Sequence, residues 1–598
     1  DDQTMPSGHR VVLTEAAKPK TNDDQGYDFT GTHPVDGFSH HQPILTLFPE
    51  GVDPSNITFH QGSDPEASML PSSPTLLLNA ETGQPIPHWA ELDRSTELTA
   101  KQAFIVRPYV RLESETRYIV AFQHLNDASG APIPPPLGFA HLLAGEVEGH
   151  PVLEPLAARY DSDIFPVLEQ FGASRQDLQL AWDFTTSSEE HTTRDLLAMR
   201  DDAIAQFEET PPEVVVTSVL PDYSEQIALR IEGRLVVPLY LEDDEPGALL
   251  HRDDDGNVTQ NGTANVPFTL QVPVAAIPED AEFEPLRMLQ YGHGFFGLRE
   301  EINYSFMRGF TNEQKYLAAA VDWWGMSEPD QLTILSSLAP GGDITLAFSF
   351  IDRVHQSMVN QIALTYALLG PISELEELKQ FDKLLYDPAK LYYYGISQGS
   401  IFGTTFMALS QQIDRAVLGV GGGPYSLMMS RSASFRTLYD IALARLPDDL
   451  TMQKFITLSQ HTFDRVDPMT YAHRLVLDPY PGSPERKILI QFGTGDHSVN
   501  NLATDLHSRT AGIPLLTPTP REIYGLDTVE APTDRATVEV DFQLDQIPGI
   551  EARLPTEDEL NGVHEDVRRN AKIKQQIDLF FQPDGLIEQV CDGPCDPE

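Results

Sequence analysis

The chain has 598 residues, 40% of them hydrophobic and 22% charged, a composition that supports a large buried core and argues against wholesale disorder. Its 40 Lys+Arg stand against 90 Asp+Glu, a formal net charge of −50 that repels phosphate backbones and disfavours nucleic acid as a partner. No stretch approaches the ~20 apolar residues of a membrane helix, and two cysteines cannot build a disulfide-dense scaffold or a four-thiolate zinc site.

Residues 1–25 are polar and charged and read as a mobile lead-in. Over 26–149, β-rich runs such as Ala103-Phe104-Ile105-Val106 and Arg117-Tyr118-Ile119-Val120-Ala121-Phe122 alternate with turn clusters such as Asn126-Asp127-Ala128-Ser129-Gly130. They predict a small β-sandwich-like module. The period changes over 150–212, where Leu153, Leu156, Val167 and Leu168, and later Leu196, Met199 and Ile204, mark helices around the strand-like run 178–184. This stretch reads as a helical connector.

From 213 to 585 strand-length runs alternate with helical patterns. Among them are Met288-Leu289-Gln290-Tyr291-Gly292, Leu317-Ala318-Ala319-Ala320-Val321, Leu391-Tyr392-Tyr393-Tyr394-Gly395, Ala416-Val417-Leu418-Gly419-Val420 and Ile488-Leu489-Ile490-Gln491-Phe492-Gly493. Near-continuous apolar runs of this length are the signature of parallel strands covered on both faces, so the fold class is α/β with a mostly parallel sheet. Long segments at 327–350 and 424–480 interrupt the alternation and predict a helical cap. Residues 586–598 form a tail in which Cys591 and Cys595 flank a turn-prone spacer; they can pair, or stay reduced. That pair and the acidic surface point to a secreted, periplasmic or cell-surface protein, read as a mature chain after signal removal.

The chemistry centres on Gly395-Ile396-Ser397-Gln398-Gly399, which follows a strand run and opens a helical one. A strand turning sharply into a helix strains the serine and lifts its hydroxyl above the strand ends. The helix N-terminus then offers amides to a developing oxyanion. A second donor belongs on a loop after an earlier strand. His293-Gly294-Phe295-Phe296-Gly297 supplies one, so the expected donors are the amides of Phe295 and Gln398, with His293 orienting the loop. Serine needs a base, and the base an orienting acid. Asp496 lies just past the last clear apolar strand, and His564 lies on a loop feeding the terminal helix. His497 is adjacent to the acid, and His507 falls within a helical pattern.

With these residues in place the chain resembles the α/β-hydrolase superfamily of serine esterases and lipases over about 213–585. The front module is similar to the Ig-like modules of large exported bacterial lipases. The resemblance implies a Ser397–His564–Asp496 triad and an acyl-enzyme intermediate on an ester substrate, with no cofactor and no metal. The loop reads His-Gly-Phe-Phe-Gly where the hormone-sensitive-lipase-like subgroup carries His-Gly-Gly-Gly, so that subgroup is not implied.

His293, Gly294, Phe296, Trp323, Trp324, Met326, Tyr425 and Met428 follow strand ends or the elbow loop and are the candidate substrate contacts. Aromatic and methionine walls suit a small-molecule or lipid-like ester with a hydrophobic acyl group. Serine peptidase, acyl transfer to an alcohol, and a non-catalytic binding protein on a hydrolase scaffold are the competing readings. Asp253-Asp254-Asp255-Gly256-Asn257 is oxygen-rich like a calcium loop but lacks the distal Glu, and reads as a solvated acidic turn.

Overall fold

The apolar runs of the second half become neighbours in one eleven-stranded sheet. The computed structural model describes every residue except Asp1, Gln3 and Glu598. From one edge, Thr528–Glu530, Leu515–Thr517, Arg535–Val540, Lys487–Gly493, Arg415–Gly419, Tyr386–Ile396, Leu286–Gly292 and Tyr316–Val321 pair in parallel. Thr263–Pro273, Ile227–Pro238 and Glu213–Pro221 then continue the sheet by antiparallel pairing.

Successive side chains of Tyr386–Ile396 feed two separate cores. Tyr393 packs with Met358, Phe402 and Phe406, from helices Phe350–Leu369 and Gln398–Leu409. Tyr392 and Tyr394 pack on the other face with Phe310 and Ile577, from helices Ser305–Gln314 and Ala571–Phe580. Both faces are covered, which is why the strand reads as an unbroken apolar run rather than an alternation. The register sets Gly292 beside Gly395, so two loops leave adjacent strands side by side at the carboxyl ends.

The front of the chain folds as two three-stranded antiparallel sheets. One joins Ile44–Thr46, Phe104–Pro108 and His88–Leu92; the other joins Thr75–Asn79, Arg117–Gln123 and Leu178–Thr185. Ile44, Leu77, Ala90, Phe104, Val120 and Phe122 fill the space between them. The strand Leu178–Thr185 comes from beyond residue 149, so a boundary there cuts this unit in two. The chain leaves through helices Leu153–Arg159 and Phe165–Phe171, returns to complete the sheet, and only then enters helix Glu189–Glu209. A change of hydrophobic period marks where helices begin, not which sheet a later strand joins.

The lead-in is another correction. It lies on the cap instead of hanging free. The Asn22 amide donates to Arg445 O at 2.9 Å, Arg445 donates to Gln25 Oε1 at 2.8 Å, and Lys18 pairs with Asp28 at 3.0 Å. Tyr27 is buried with its ring edge-on to Phe348 and Phe455. The polar stretch is held by backbone and ionic contacts, which leave no apolar period to read.

A buried charge cluster ties the front unit to the rest. Glu91 accepts from Arg107 Nε at 2.9 Å and from Arg431, a fully buried guanidinium whose Nε also donates to Gly549 O at 3.1 Å. At the other end of the chain, Cys591 and Cys595 are disulfide-bonded, and Cys595 is buried beside Val540.

Candidate active site

Ser397 sits between strand Tyr386–Ile396 and helix Gln398–Leu409 with φ 57° and ψ −118°. A backbone in such a region costs about 1–3 kcal/mol and persists only when its surroundings over-determine it. Here the Ser397 amide donates to Gly419 O at 2.9 Å, and its carbonyl accepts from the amides of Ser400 and Ile401 at 2.8 and 2.9 Å. The flanking glycines are steric necessities. A Cβ on Gly399 would lie 2.0 Å from Gly292 O, and one on Gly395 would lie 2.1 Å from Gly399 O.

The loop after Leu286–Gly292 is pinned from inside. His293 is fully buried, and its Nε2 accepts the Trp323 amide at 2.8 Å while Nδ1–H donates to Gly294 O at 2.9 Å. Both ring nitrogens are thus engaged with backbone, so His293 holds the loop to the end of the neighbouring strand and is not free to act as a base. The Gly294 amide donates to Glu301 Oε2 at 2.9 Å, and the Gly297 amide to Gly294 O at 3.0 Å. The amides of Phe295 and Phe296, and that of Gln398 at the helix start, have no hydrogen-bond partner among the described residues.

Asp496 follows strand Lys487–Gly493 and is buried. Its Oδ1 accepts the amides of Ser498 and Val499 at 2.8 and 3.0 Å, which leaves Oδ2 for His564 Nδ1 at 2.7 Å. Burial pulls the His564 pKa down, but the charge of Asp496 and its hydrogen bond outweigh that, and the net shift is upward from 6.5. Ser397 Oγ makes no hydrogen bond to His564 among the described residues.

His564 was expected on a loop, but it lies in the first turn of a helix, Val563–Arg569. The terminal helix is two helices, because Asn570 leaves helical geometry at ψ 130° and caps Ala571–Phe580 with its side chain. The apolar spacing of Val567, Ile573 and Ile577 spans that break without registering it. The other two histidines after Asp496 face elsewhere. His507 Nε2 contacts Thr404 Oγ1 at 2.9 Å in the core, and His497 Nδ1 meets Asn561 at 3.3 Å.

Under the cap segments lies a small cavity of ≈ 40 Å³ with an almost wholly apolar lining. One water-sized occupant takes ~10–15 Å³ on this measure, so the space admits a short run of carbon atoms. Its walls come from both expected cap segments, with Ile334, Phe348, Phe435 and Phe455 among them. Two chains of contacts run from its walls toward Ser397. Gln398 Nε2 donates to Tyr425 OH at 2.6 Å, and that hydroxyl lies 3.8 Å from Met326 Sδ, which lines the cavity. A Cβ on Gly294 would lie 3.9 Å from Ser397 Cβ, and Phe296, two residues on, is a wall of the cavity.

Of the candidate substrate contacts, only Phe296 and Met326 line this space. Trp323 packs on Phe402, Trp324 lies under the Arg353 guanidinium at 4.1 Å, and Tyr425 stacks on Phe463 at 4.3 Å. Met428 is core as well. An aromatic just past a strand end can face the cleft or the helix layer, and sequence does not distinguish the two. Phe435, Phe348 and Glu301 were not anticipated, because each sits in a segment with no motif around it. The acidic turn at 253–257 folds on itself, with Asp253 Oδ1 accepting the amides of Asp255 and Asn257 at 3.0 and 2.9 Å.

A strained serine after a central parallel strand, an acid past a later strand and a histidine near the end of the chain define the architecture. It is an α/β-hydrolase fold. No family model and no curated protein matches the chain. Among solved structures, it is similar to an acetyl xylan esterase from Paenibacillus sp. R4 (16% identity, 56% of this chain and 87% of that one, TM-score 0.32). It is also similar to acetyl xylan esterase 1 from Thermoanaerobacterium sp. JW/SL YS485 (11% identity, 58% and 88%, TM-score 0.31). A third is an S-formylglutathione hydrolase from Agrobacterium tumefaciens (13% identity, 55% and 91%, TM-score 0.27). At such TM-scores the α/β-hydrolase assignment stands on strand order and elbow geometry.

Proposed function

We propose that this protein is a serine carboxylic-ester hydrolase acting on esters with a hydrophobic acyl group. The observation that carries the reading is the 2.7 Å hydrogen bond from His564 to a buried carboxylate, Asp496, in a chain whose Ser397 is held at φ 57° between strand and helix. In the proposed cycle, His564 Nε2 takes the Ser397 proton as Oγ bonds to the ester carbonyl carbon. The amides of Phe295 and Gln398 hold the oxyanion. The alcohol leaves with the proton from His564, and water, deprotonated by the same nitrogen, releases the acid and restores Ser397. Asp496 keeps the proton on Nδ1 and stabilises the imidazolium. The Ser397–His564 hydrogen bond is a feature of the substrate-bound state, since such bonds are often long in free enzymes.

The acyl preference is supported by the apolar cavity that has Phe296 of the loop after Gly292 among its walls. An exported or cell-surface location belongs to the same proposal and is supported by the Cys591–Cys595 bond. A fluorophosphonate probe should label wild-type protein and leave Ser397→Ala unlabelled. p-Nitrophenyl esters should be turned over in preference to peptide anilides, and butyrate and longer esters in preference to acetate. An unlabelled wild type, or peptide anilides cleaved faster than any ester, overturns the reading. Added alcohol, with products analysed, separates hydrolysis from acyl transfer.

A further inference from the structure

Glu301 has no part in the triad, yet its carboxylate is built into the loop that carries the Phe295 amide. Oε2 accepts the Gly294 amide at 2.9 Å and Oε1 accepts the Tyr291 hydroxyl at 2.6 Å. Tyr291 is fully buried on strand Leu286–Gly292, so that end is fixed by the core. Glu301 itself comes from the turn Arg299–Asn303. This turn is anchored separately, because the Arg299 amide and guanidinium donate to the two oxygens of Asp322 at 2.6 and 2.8 Å.

The loop wraps the carboxylate closely, and a Cβ on Gly297 would lie 2.9 Å from Glu301 Oε2. Arg568, four residues after His564 on the same helix, faces this cluster. Burial lowers its pKa, but the fields of Tyr291, Glu565 and Glu301 raise it overall.

Gly294 and Phe295 are consecutive, so the direction of one peptide limits the direction of the next. With the Gly294 amide committed to Glu301, the next amide along the loop, that of Phe295, stays unpartnered among the described residues and open to an oxyanion. We infer that Glu301 is a positioning residue: acting through Gly294, it orients the loop so that the Phe295 amide meets the developing negative charge. This rests on the ester-hydrolase reading above.

The experiment compares Glu301→Ala and Glu301→Gln in the full chain, with fluorophosphonate labelling as the control for an intact Ser397. Misplacing a group by about 1 Å costs ~100-fold in rate, so Glu301→Ala should lose ~100-fold in kcat. Its KM should stay within ~3-fold, because the lost interaction is made only in the transition state. Glu301→Gln keeps an oxygen for the Gly294 amide and should return kcat to within ~10-fold of wild type. Affinity for a trifluoromethyl ketone, whose serine adduct carries the oxyanion, should fall in step with kcat/KM across the variants.

A Glu301→Ala enzyme within ~3-fold of wild-type kcat, or a Glu301→Gln enzyme as slow as Glu301→Ala, overturns the proposal. Should Glu301→Ala not fold, Glu301→Gln is decided by the ketone alone: affinity within ~10-fold of wild type supports the role, and a larger loss overturns it. A wild type that fails to label points instead to failure of the hydrolase reading, which separates the two.

Discussion

His564 and His507 are both buried, and their basicities move in opposite directions. Among the described residues His507 bonds to a threonine hydroxyl alone, and burial pushes its pKa down to about 4. Desolvation pulls His564 down too, but a carboxylate 2.7 Å away reverses the outcome. Burial keeps an imidazole neutral, while a buried acid lets it accept a proton and hold it. The chain uses the first kind of histidine to fill its core and the second as its proposed base.

The strongest way to break this contrast is to remove each ring. His564→Gln should cost ~10⁵–10⁶-fold in kcat, while folded His507→Gln should stay within ~3-fold of wild type because it touches no reacting group. Ester kinetics on the two purified variants decide it, and comparable losses would erase the distinction. Next is the partner. Asp496→Asn should lower kcat by ~10⁴-fold and move the acid limb of kcat/KM to lower pH. In wild type that limb should lie above pH 6.5, since the base must be neutral and its pKa is raised. An acid limb unmoved by the substitution would mean that Asp496 does not set the basicity.

The third effect is on stability, and the two histidines contribute with opposite signs. Below about pH 6.5 the unfolded chain takes up a proton that folded His507 refuses until about pH 4. Its share of stability therefore falls across that window, by on the order of 3 kcal/mol. His564 is raised, so its contribution is complete below its unfolded pKa and is lost as pH rises through its folded one. Urea unfolding at pH 7 and pH 4.5 should show a smaller acid loss in His507→Gln than in wild type. An equal loss would place the acid sensitivity elsewhere. The smallest effect concerns the cavity. Phe435→Ala should shift the octanoate-to-butyrate ratio of kcat/KM by ~10-fold toward the longer ester, and an unchanged ratio would remove Phe435 from the acyl wall.

The sheet was legible because buried parallel strands write themselves as apolar runs, and the elbow because any Cβ on Gly395 or Gly399 would fall within 2.1 Å of a backbone oxygen of Gly399 or Gly292. The Asp496–His564 pair was legible from chain order together with the strand end before the acid and the helical pattern after the histidine. What stayed hidden depends on partners far away in sequence. Nothing around Leu178–Thr185 says that it completes a front sheet, and nothing in Arg299-Glu300-Glu301 marks one acid as bonded to a loop amide. The lead-in is opaque for the same reason, since its fixing points at Arg445 and Lys454 lie over four hundred positions along the chain.

Glu91 supplies the only carboxylate bonded to Arg431 among the described residues, and the two side chains come from opposite halves of the molecule. Two residues past Arg431, the Ala433 amide holds His497 O at 2.9 Å, one step from the catalytic acid candidate. A protein engineer who excised the hydrolase half as a minimal enzyme would take away the one carboxylate that answers this guanidinium and uncover it beside the turn that follows Asp496. Truncation here would therefore cost turnover before it ever simplified the catalyst.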